Sequence, residues 1–174
     1  MATMTLPTGV LQVRSGADAI VFTRTFDVSA EQVWAMISRS ELTARWFGTF
    51  AGDPAEGHVM VSMNAEGDDN TTPIRYSVDR CEPPRLLQVS SFTDVGDWDL
   101  ELRVEPVGAD SMLALGHLVT DPASIDSIGP GWEYYLDRLA AVVAGADPEA
   151  VDWADYFPAM QPYYRQIQEQ LSAR

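Results

Sequence analysis

The sequence contains no lysine, so its 11 basic side chains other than histidine are all arginines, and they are outnumbered by 26 acidic residues. Without a side-chain amine, the chain cannot perform Schiff-base chemistry. The net charge of −15 argues against nucleic acids and anionic membranes as partners, because both would repel the chain. We therefore expect no nucleic-acid partner.

Cysteine and histidine are also scarce, which limits the chemistry of any site. Cys81 is the single cysteine, so an intramolecular disulfide is excluded, and its proline-flanked context is typical of a strand end rather than of a nucleophile. The two histidines, His58 and His117, form neither a His-x-His nor a His-Glu-x-x-His motif. The acidic stretches 68–69 and 97–99 lack the pattern of a calcium-binding loop. We expect no metal, no cofactor and no catalytic residue.

Long apolar runs are absent as well. No stretch approaches the roughly 18 apolar residues that indicate a membrane-spanning helix, and the N-terminus lacks a basic region followed by an apolar one. We therefore expect a cytoplasmic protein without membrane insertion. A length of 174 residues, with 46% hydrophobic and 21% charged residues, is typical of one folded domain.

The first part of the chain predicts a strand followed by two short helices. β-Branched and aromatic residues dominate residues 10–28, as in a strand. Ser29, with a glutamine three residues later, forms a capping-box pattern and predicts a helix over 30–38. A second helix is predicted over 41–47, ended by Gly48.

Five stretches of alternating apolar and polar residues follow and predict an antiparallel meander. They cover residues 57–63, 74–82, 86–93, 98–105 and 111–120, with turns expected at 66–70 and 94–97. On the fourth stretch, the apolar residues that share one face are Trp98, Leu100, Leu102 and Val104. Asp99, Glu101 and Glu105 share the other face, so we expect them to be solvated.

A long helix is predicted over residues 129–145, between a Gly-Pro-Gly segment and Gly145. Its apolar residues fall at positions i, i+3, i+4, i+7 and i+11, and they are Trp132, Tyr135, Leu136, Leu139 and Val143. That spacing places them on one face, with Asp137 and Arg138 mostly off it. This helix is the element long enough to close the apolar face of the sheet.

The order of elements divides the chain into three regions. We expect residues 1–9 to be a flexible arm, residues 10–146 to form the domain, and residues 147–174 to be an extension with a last helix over 163–171. The extension carries large aromatic side chains at Trp153, Tyr156 and Phe157. It is too aromatic for a disordered tail, so it should pack on the domain or on a second subunit, which leaves a homodimer as an alternative.

Several short motifs occur in a specific order along residues 18–146. They are Arg24-Thr25-Phe26, Val33-Trp34, Trp46-Phe47-Gly48, Glu82-Pro83-Pro84, and Gly131-Trp132 followed by Leu136 and Leu139. In this combination they resemble the START-like, or SRPBCC, superfamily, and most closely its branch of homologues of the activator of the heat-shock-protein-90 ATPase. The resemblance implies an α+β helix-grip fold, in which a curved antiparallel sheet of about six strands wraps around the long C-terminal helix. Two short helices would follow the first strand.

The same resemblance implies an apolar cavity between the sheet and the long helix. Residues expected to line it are Trp34, Trp46, Tyr76, Trp98, Leu100, Leu115, His117, Trp132, Tyr135, Leu136 and Leu139. His117 shares strand parity with Leu113 and Leu115 and should point inward. It is a core histidine satisfied by a neighbour, a hydrogen-bonding group at the end of the pocket, or a general base. Arg24 is a buried ion-pair partner, which we favour, or an anchor for an anion.

Members of the superfamily bind lipids, sterols, polyketides or plant hormones, some act as cyclases or aromatases, and one branch stimulates a chaperone ATPase. Fold alone does not choose among these functions. The leading hypothesis is noncatalytic binding of a small lipophilic molecule. The alternatives are modulation of a chaperone ATPase through a chaperone partner, and a polyketide cyclase-like or aromatase-like enzyme using the same cavity.

Overall fold

The computed structural model describes residues 5–64, 72–94 and 96–174. Its main element is a single antiparallel sheet of eight strands. The strands lie in the spatial order β1-β2-β8-β7-β6-β5-β4-β3. Their bounds are β1 Val10–Arg14, β2 Ala17–Phe26, β3 Gly48–Ala51, β4 His58–Met63, β5 Ile74–Glu82, β6 Leu86–Thr93, β7 Gly96–Val107 and β8 Asp110–Leu118. The expected α+β arrangement of a long antiparallel sheet and a long C-terminal helix is confirmed.

Four α-helices accompany the sheet among the described residues. Their bounds are α1 Ala30–Ser38, α2 Ser40–Thr43, α3 Ile125–Val143 and α4 Gln161–Ser172. Helix α1 begins with the capping box predicted at Ser29, whose hydroxyl accepts a hydrogen bond from the Gln32 backbone while the Gln32 side chain accepts one from Ser29. Helix α3 contacts β2, and α4 packs along α3.

The sheet has eight strands where about six were expected, because the sequence pattern did not resolve the two short strands β1 and β3. Residues 10–28 are a hairpin, with Ser15 and Gly16 in a left-handed conformation (φ 50° and 81°) between β1 and β2. The predicted second helix ends at Thr43, and β3 begins at Gly48, where it pairs with β4. Gly48 approaches the β4 backbone so closely that a Cβ there would lie 2.3 Å from the Ser62 carbonyl oxygen, which excludes a side chain.

The long helix begins earlier than the predicted start at the Gly-Pro-Gly segment. Gly129 and Pro130 lie inside α3, which starts at Ile125 and continues from a short 3₁₀ turn, Pro122–Ser124. Pro130 is the sixth residue of α3, so its missing N–H removes one backbone hydrogen bond from the N-terminal part of the helix. The predicted turn at 66–70 and residue 95 of the predicted turn at 94–97 lie outside the described residues.

The core fills the space between the sheet and α3. Its most completely buried side chains include Phe22, Leu113 and Leu115 from the sheet and Leu136 and Leu139 from α3. The apolar face predicted for β7 is buried at Leu100, Leu102 and Val104.

The expectation that Glu101 is solvated is wrong, because its side chain is only 3% exposed. It accepts hydrogen bonds from Arg103 Nε at 2.6 Å and Gln88 Nε2 at 2.8 Å. Burial raises the pKa of Glu101, but these hydrogen bonds and the charge of Arg103 outweigh burial, so the pKa lies below its ordinary value. Arg138, predicted to lie off the buried face of α3, is also buried.

Candidate functional site

A cleft of about 690 Å³ lies beside the N-terminal half of α3, and we call it the outer cleft. Its walls are mainly aromatic, formed by Phe47, Trp98, Trp132, Tyr134, Tyr135 and Trp153. Its polar residues are Asp97, Thr120, Asp121, Ser124 and Ser127. The outer cleft therefore combines ring faces with hydroxyl and carboxylate groups, a lining that suits a ligand with an apolar body and polar edges.

A smaller cavity of about 170 Å³, which we call the inner cavity, lies between the sheet and the α1–α2–β3 segment. Its lining is largely apolar and includes Trp46, Phe50, Val59, Tyr76, Leu87, Val89, Leu100, Leu102 and Leu115. Apolar cavities of about 150 Å³ accept a single aromatic ring such as benzene. The inner cavity therefore has room for one ring or a short alkyl chain.

Trp132 and Phe47 line both spaces. Their rings are stacked, with centroids 5.9 Å apart and planes inclined by 10°. Trp98 meets the Trp132 ring edge-on at 6.0 Å. The Trp132–Phe47 pair is thus the shared boundary of the outer cleft and the inner cavity.

His117 holds Trp132 in this position. The indole Nε1 of Trp132 donates a hydrogen bond of 2.9 Å to His117 Nδ1, so the neutral imidazole carries its proton on Nε2. Burial lowers the pKa of His117 to about 4, and a hydrogen bond with the backbone of Asp97 opposes that shift. His117 is therefore neutral at pH 7, and its ring is engaged by groups of the protein itself.

A buried ionic cluster lies on another side of α3. Glu133 is fully buried and pairs with Arg24 Nη2 at 2.8 Å, while Asp137 lies 2.9 Å from the same nitrogen. The Gly9 backbone N–H and the Tyr164 hydroxyl also donate to Glu133. Burial lowers the pKa of Arg24, but its bonds to the two carboxylates prevail and raise it. Arg24 is thus the ion-pair partner that we favoured, on a partly buried side chain that is 13% exposed, with both carboxylates supplied by α3.

This cluster also ties both chain ends to α3. Thr8 Oγ1 donates to Glu133 at 2.9 Å, so the end of the predicted flexible arm is hydrogen-bonded. Tyr164 belongs to α4, and burial together with the charge of Glu133 raises the pKa of its hydroxyl far above the ordinary value. The Glu133 carboxylate therefore links three segments that are distant in sequence.

The segment between α3 and α4 completes the outer cleft. Arg138 pairs with Glu149 at 2.7 Å and donates to the carbonyl of Pro148 at 3.0 Å. Tyr156 donates to Asp137 at 2.7 Å. Between these two attachments, Trp153 packs edge-on against Tyr134 at 5.3 Å and presents its ring to the cleft.

The predicted lining residues fall into four groups. Trp46, Tyr76, Leu100 and Leu115 line the inner cavity, Trp98 and Tyr135 line the outer cleft, and Trp132 lines both. The predicted residues that line neither are Trp34, His117, Leu136 and Leu139. Leu136 and Leu139 are core side chains on the buried stripe of α3, and His117 lies behind the rings of Trp98 and Trp132.

Other residues of the site were not predicted. Phe47, Ile128, Tyr134 and Trp153 line the outer cleft. The aromatic content of the extension was a signal for Trp153, but the place where it docks depends on tertiary contacts. Tyr134 lies next to Tyr135 yet off the predicted stripe, so helical periodicity alone assigns it to the surface.

The described parts of the chain contain neither a cluster of metal ligands nor a membrane-spanning helix. No group of three or more His, Cys, Asp or Glu side chains is placed to hold a metal ion there. None of the helices in those parts combines the length and apolarity required to cross a membrane.

Comparisons with known proteins agree with the architecture. Residues 27–144 match the family model described as "Activator of Hsp90 ATPase homolog 1-like protein". CalU16 from Micromonospora echinospora is 25% identical, with a TM-score of 0.67 over 98% of both chains. A protein from Bordetella parapertussis is 24% identical, with a TM-score of 0.65 over 98% of this chain and 94% of that one.

A more distant structure is that of DynU16, described as a protein in the dynemicin biosynthetic locus. It is 14% identical, with a TM-score of 0.55 over 74% of this chain and 48% of that chain. At this identity the likeness concerns the fold alone. No curated protein matches the chain.

Proposed function

The chain belongs to the family described as Activator of Hsp90 ATPase homolog 1-like protein, and from this premise we propose that it binds a small lipophilic molecule without changing it chemically. Its fold is the helix-grip fold of the START-like superfamily. The ligand would lie in the outer cleft and extend past Trp132 into the inner cavity.

The observation that carries this proposal is the pair of neighbouring spaces that share Trp132 and Phe47 in their walls. The outer cleft, about 690 Å³, falls within the range of about 300–1,000 Å³ that is usual for small-molecule sites. The inner cavity adds about 170 Å³ behind the Trp132–Phe47 pair. A molecule with several fused or linked rings fits the outer cleft, and a single ring or short chain fits the inner cavity.

The state of His117 supports binding rather than catalysis. A general base needs a nitrogen that can reach a proton of the substrate. In this structure Nδ1 accepts from Trp132, the ring hydrogen-bonds to the Asp97 backbone, and the side chain lines neither space. A cyclase-like reaction that uses His117 is therefore less well supported than binding.

Native mass spectrometry of the purified protein, before and after extraction with organic solvent, tests the proposal. We expect a copurifying lipophilic molecule that disappears on extraction, or an increase in melting temperature with members of a panel of lipids and aromatic metabolites. The increase is expected because a ligand that binds the folded state stabilises it. Absence of both effects would contradict the proposal.

A pair of variants locates the binding. Trp153→Ala should weaken binding by up to about tenfold, because it removes one aromatic wall of the outer cleft. Phe92→Ala is the matched control, since Phe92 is an aromatic residue that is 69% exposed and does not line the outer cleft. Equal affinities for the two variants would place the ligand elsewhere.

The family description favours a second candidate, modulation of a chaperone ATPase. The matched model carries the name of an activator of the Hsp90 ATPase. The ATPase rate of purified Hsp90, measured with and without the chain, tests this function. A rate independent of the chain would exclude it.

A further inference from the structure

The outer cleft has a one-sided charge. Asp97 and Asp121 line it, whereas no arginine or histidine occurs among the described residues of its lining. The whole chain has a net charge of −15, so the long-range field has the same sign as the local one. A carboxylate or phosphate ligand would meet repulsion here without a cation to pair with it.

The arginine behind the cleft wall is already neutralised. The guanidinium carbon of Arg138 lies 5.5 Å from the centroid of the Tyr134 ring, on a side chain only 4% exposed. Its Nη2 pairs with Glu149 at 2.7 Å, and Nη1 donates to the Pro148 carbonyl. Arg138 therefore fixes the wall and is not placed to receive an anion in the cleft.

One of the two carboxylates is held in a fixed orientation. Asp121 caps the 3₁₀ turn Pro122–Ser124, and its Oδ1 accepts a hydrogen bond of 2.9 Å from the Ala123 backbone. Asp121 thus contributes a fixed negative charge to a space otherwise walled by rings.

Aromatic faces attract cations as well as apolar groups. The face of an indole or phenol ring carries partial negative charge, and ammonium groups bind within about 6 Å of its centroid. Tyr134 and Trp153 meet at 5.3 Å with planes inclined by 79°, so one presents its edge where the other presents its face. Both rings line the same cleft as Asp97 and Asp121, so aromatic surfaces and carboxylates border one space.

We propose that the ligand of the outer cleft is an aromatic molecule carrying a protonated amine. The rings of Trp98, Trp132 and Trp153 would contact its body, and Asp97 and Asp121 would face the ammonium group. This inference rests on the proposed function, to which it adds the charge and class of the ligand.

A matched set of three probes tests the charge of the ligand. 1-Naphthylmethylammonium, 1-naphthylmethanol and 1-naphthylacetate share one ring system and differ in charge. Titration calorimetry at low salt should give the ammonium probe an affinity about 5- to 30-fold above that of the alcohol, with the carboxylate weakest. The preference should shrink in 0.5 M NaCl, because salt screens the carboxylates.

Two substitutions identify the source of the preference. Asp121→Asn removes a charge while its amide oxygen can still cap the turn, and it should bring the ammonium and alcohol affinities closer. Asp53→Asn is the control, because Asp53 precedes another Pro-Ala pair and caps a 3₁₀ turn in the same way, outside the outer cleft. A preference lost equally in both variants would overturn the assignment to Asp121.

The outcomes separate the two proposals. If the alcohol or the carboxylate binds as tightly as the ammonium probe, the ligand class is wrong and the binding function stands. If none of the three probes binds and no lipophilic molecule copurifies, the proposed function fails, and the inference fails with it.

Discussion

At the scale of single residues, the contact between His117 and Trp132 gives the fold a pH dependence. His117 has a pKa of about 4 in the folded protein against an ordinary value of 6.5. Between these pH values the unfolded chain binds a proton that the folded chain does not. The contribution of neutral His117 to the free energy of unfolding is therefore fully present above pH 6.5. It is lost as the pH falls from 6.5 towards 4.

We expect His117→Gln to remove this dependence. A glutamine oxygen can accept from Trp132 Nε1 and does not titrate. Between pH 6.5 and 4, the free energy of unfolding of the wild type should fall by about 3 kcal/mol more than that of the variant. Urea denaturation at several pH values measures the difference.

The control for this experiment is His58→Gln, which changes the other histidine, a partly exposed residue on β4. It should keep the pH dependence of the wild type. A His117→Gln variant with the wild-type dependence would show that the acid sensitivity arises elsewhere, for example in the carboxylates.

Single residues also show how far the sequence could predict the site. The spacing of Trp132 and Tyr135 along α3 and the alternation of Trp98 and Leu100 along β7 put these four residues on faces that border the two spaces, because periodicity determines which face is buried. Their contact with a ligand stays a prediction. Tyr134 was missed since its partner, Trp153, reaches it from the extension. His117 was predicted to point inward, and it does. Its hydrogen bond with Trp132 could not be predicted, because it depends on how α3 packs against β8.

At the scale of elements, the close approach of α3 and α4 depends on Gly129. A Cβ at this position would lie 2.3 Å from the ring of Tyr164, which is far inside van der Waals contact. Tyr164 is fully buried and bonded to Glu133, so its ring has little freedom to move. The glycine that resembled helix punctuation is instead a contact point inside α3.

We expect Gly129→Ala and Gly131→Ala to change stability in opposite directions. The first should lower the free energy of unfolding by about 1–3 kcal/mol through overpacking against Tyr164. The second should raise it by up to about 1 kcal/mol, because alanine favours helix and nothing lies within 4 Å of a Cβ there. Chemical denaturation followed by circular dichroism measures both, and a shift of the same sign in both would contradict the role of Gly129.

The elements that the sequence missed were missed for different physical reasons. Two residues, Ser15 and Gly16, form the turn between β1 and β2. They lie inside a stretch that is otherwise continuously rich in strand-forming residues, so the composition did not show that it contains two strands. The four-residue strand β3 is stabilised by its pairing with β4, a contact distant in sequence. Helix α3 continues through Gly129 and Pro130 because tertiary packing overrides local preference.

At the scale of the whole molecule, the uneven charge should make stability depend on salt. A net charge of −15 causes self-repulsion that disfavours the compact state. Raising NaCl from 10 to 150 mM shortens the screening length from about 30 to 8 Å, so the melting temperature should increase. We expect a gain of about 1 kcal/mol, or about 2–4 °C for a chain of this size.

Scanning calorimetry across the salt series measures this increase. The control is the same series near pH 4.2, the isoelectric point of the sequence, where the net repulsion is absent and the response should vanish. A melting temperature that falls with salt at pH 7 would mean that attractive ion pairs outweigh the repulsion.

The shared boundary at Trp132 and Phe47 has a consequence for the evolution of specificity. Because the same two rings bound both spaces, a substitution that enlarges the inner cavity also reshapes the outer cleft. Selection for a longer apolar tail on a ligand would therefore alter the recognition of its head group. Chains that adapt to a new compound should change both preferences together, and affinity for one half of a ligand should depend reciprocally on the other.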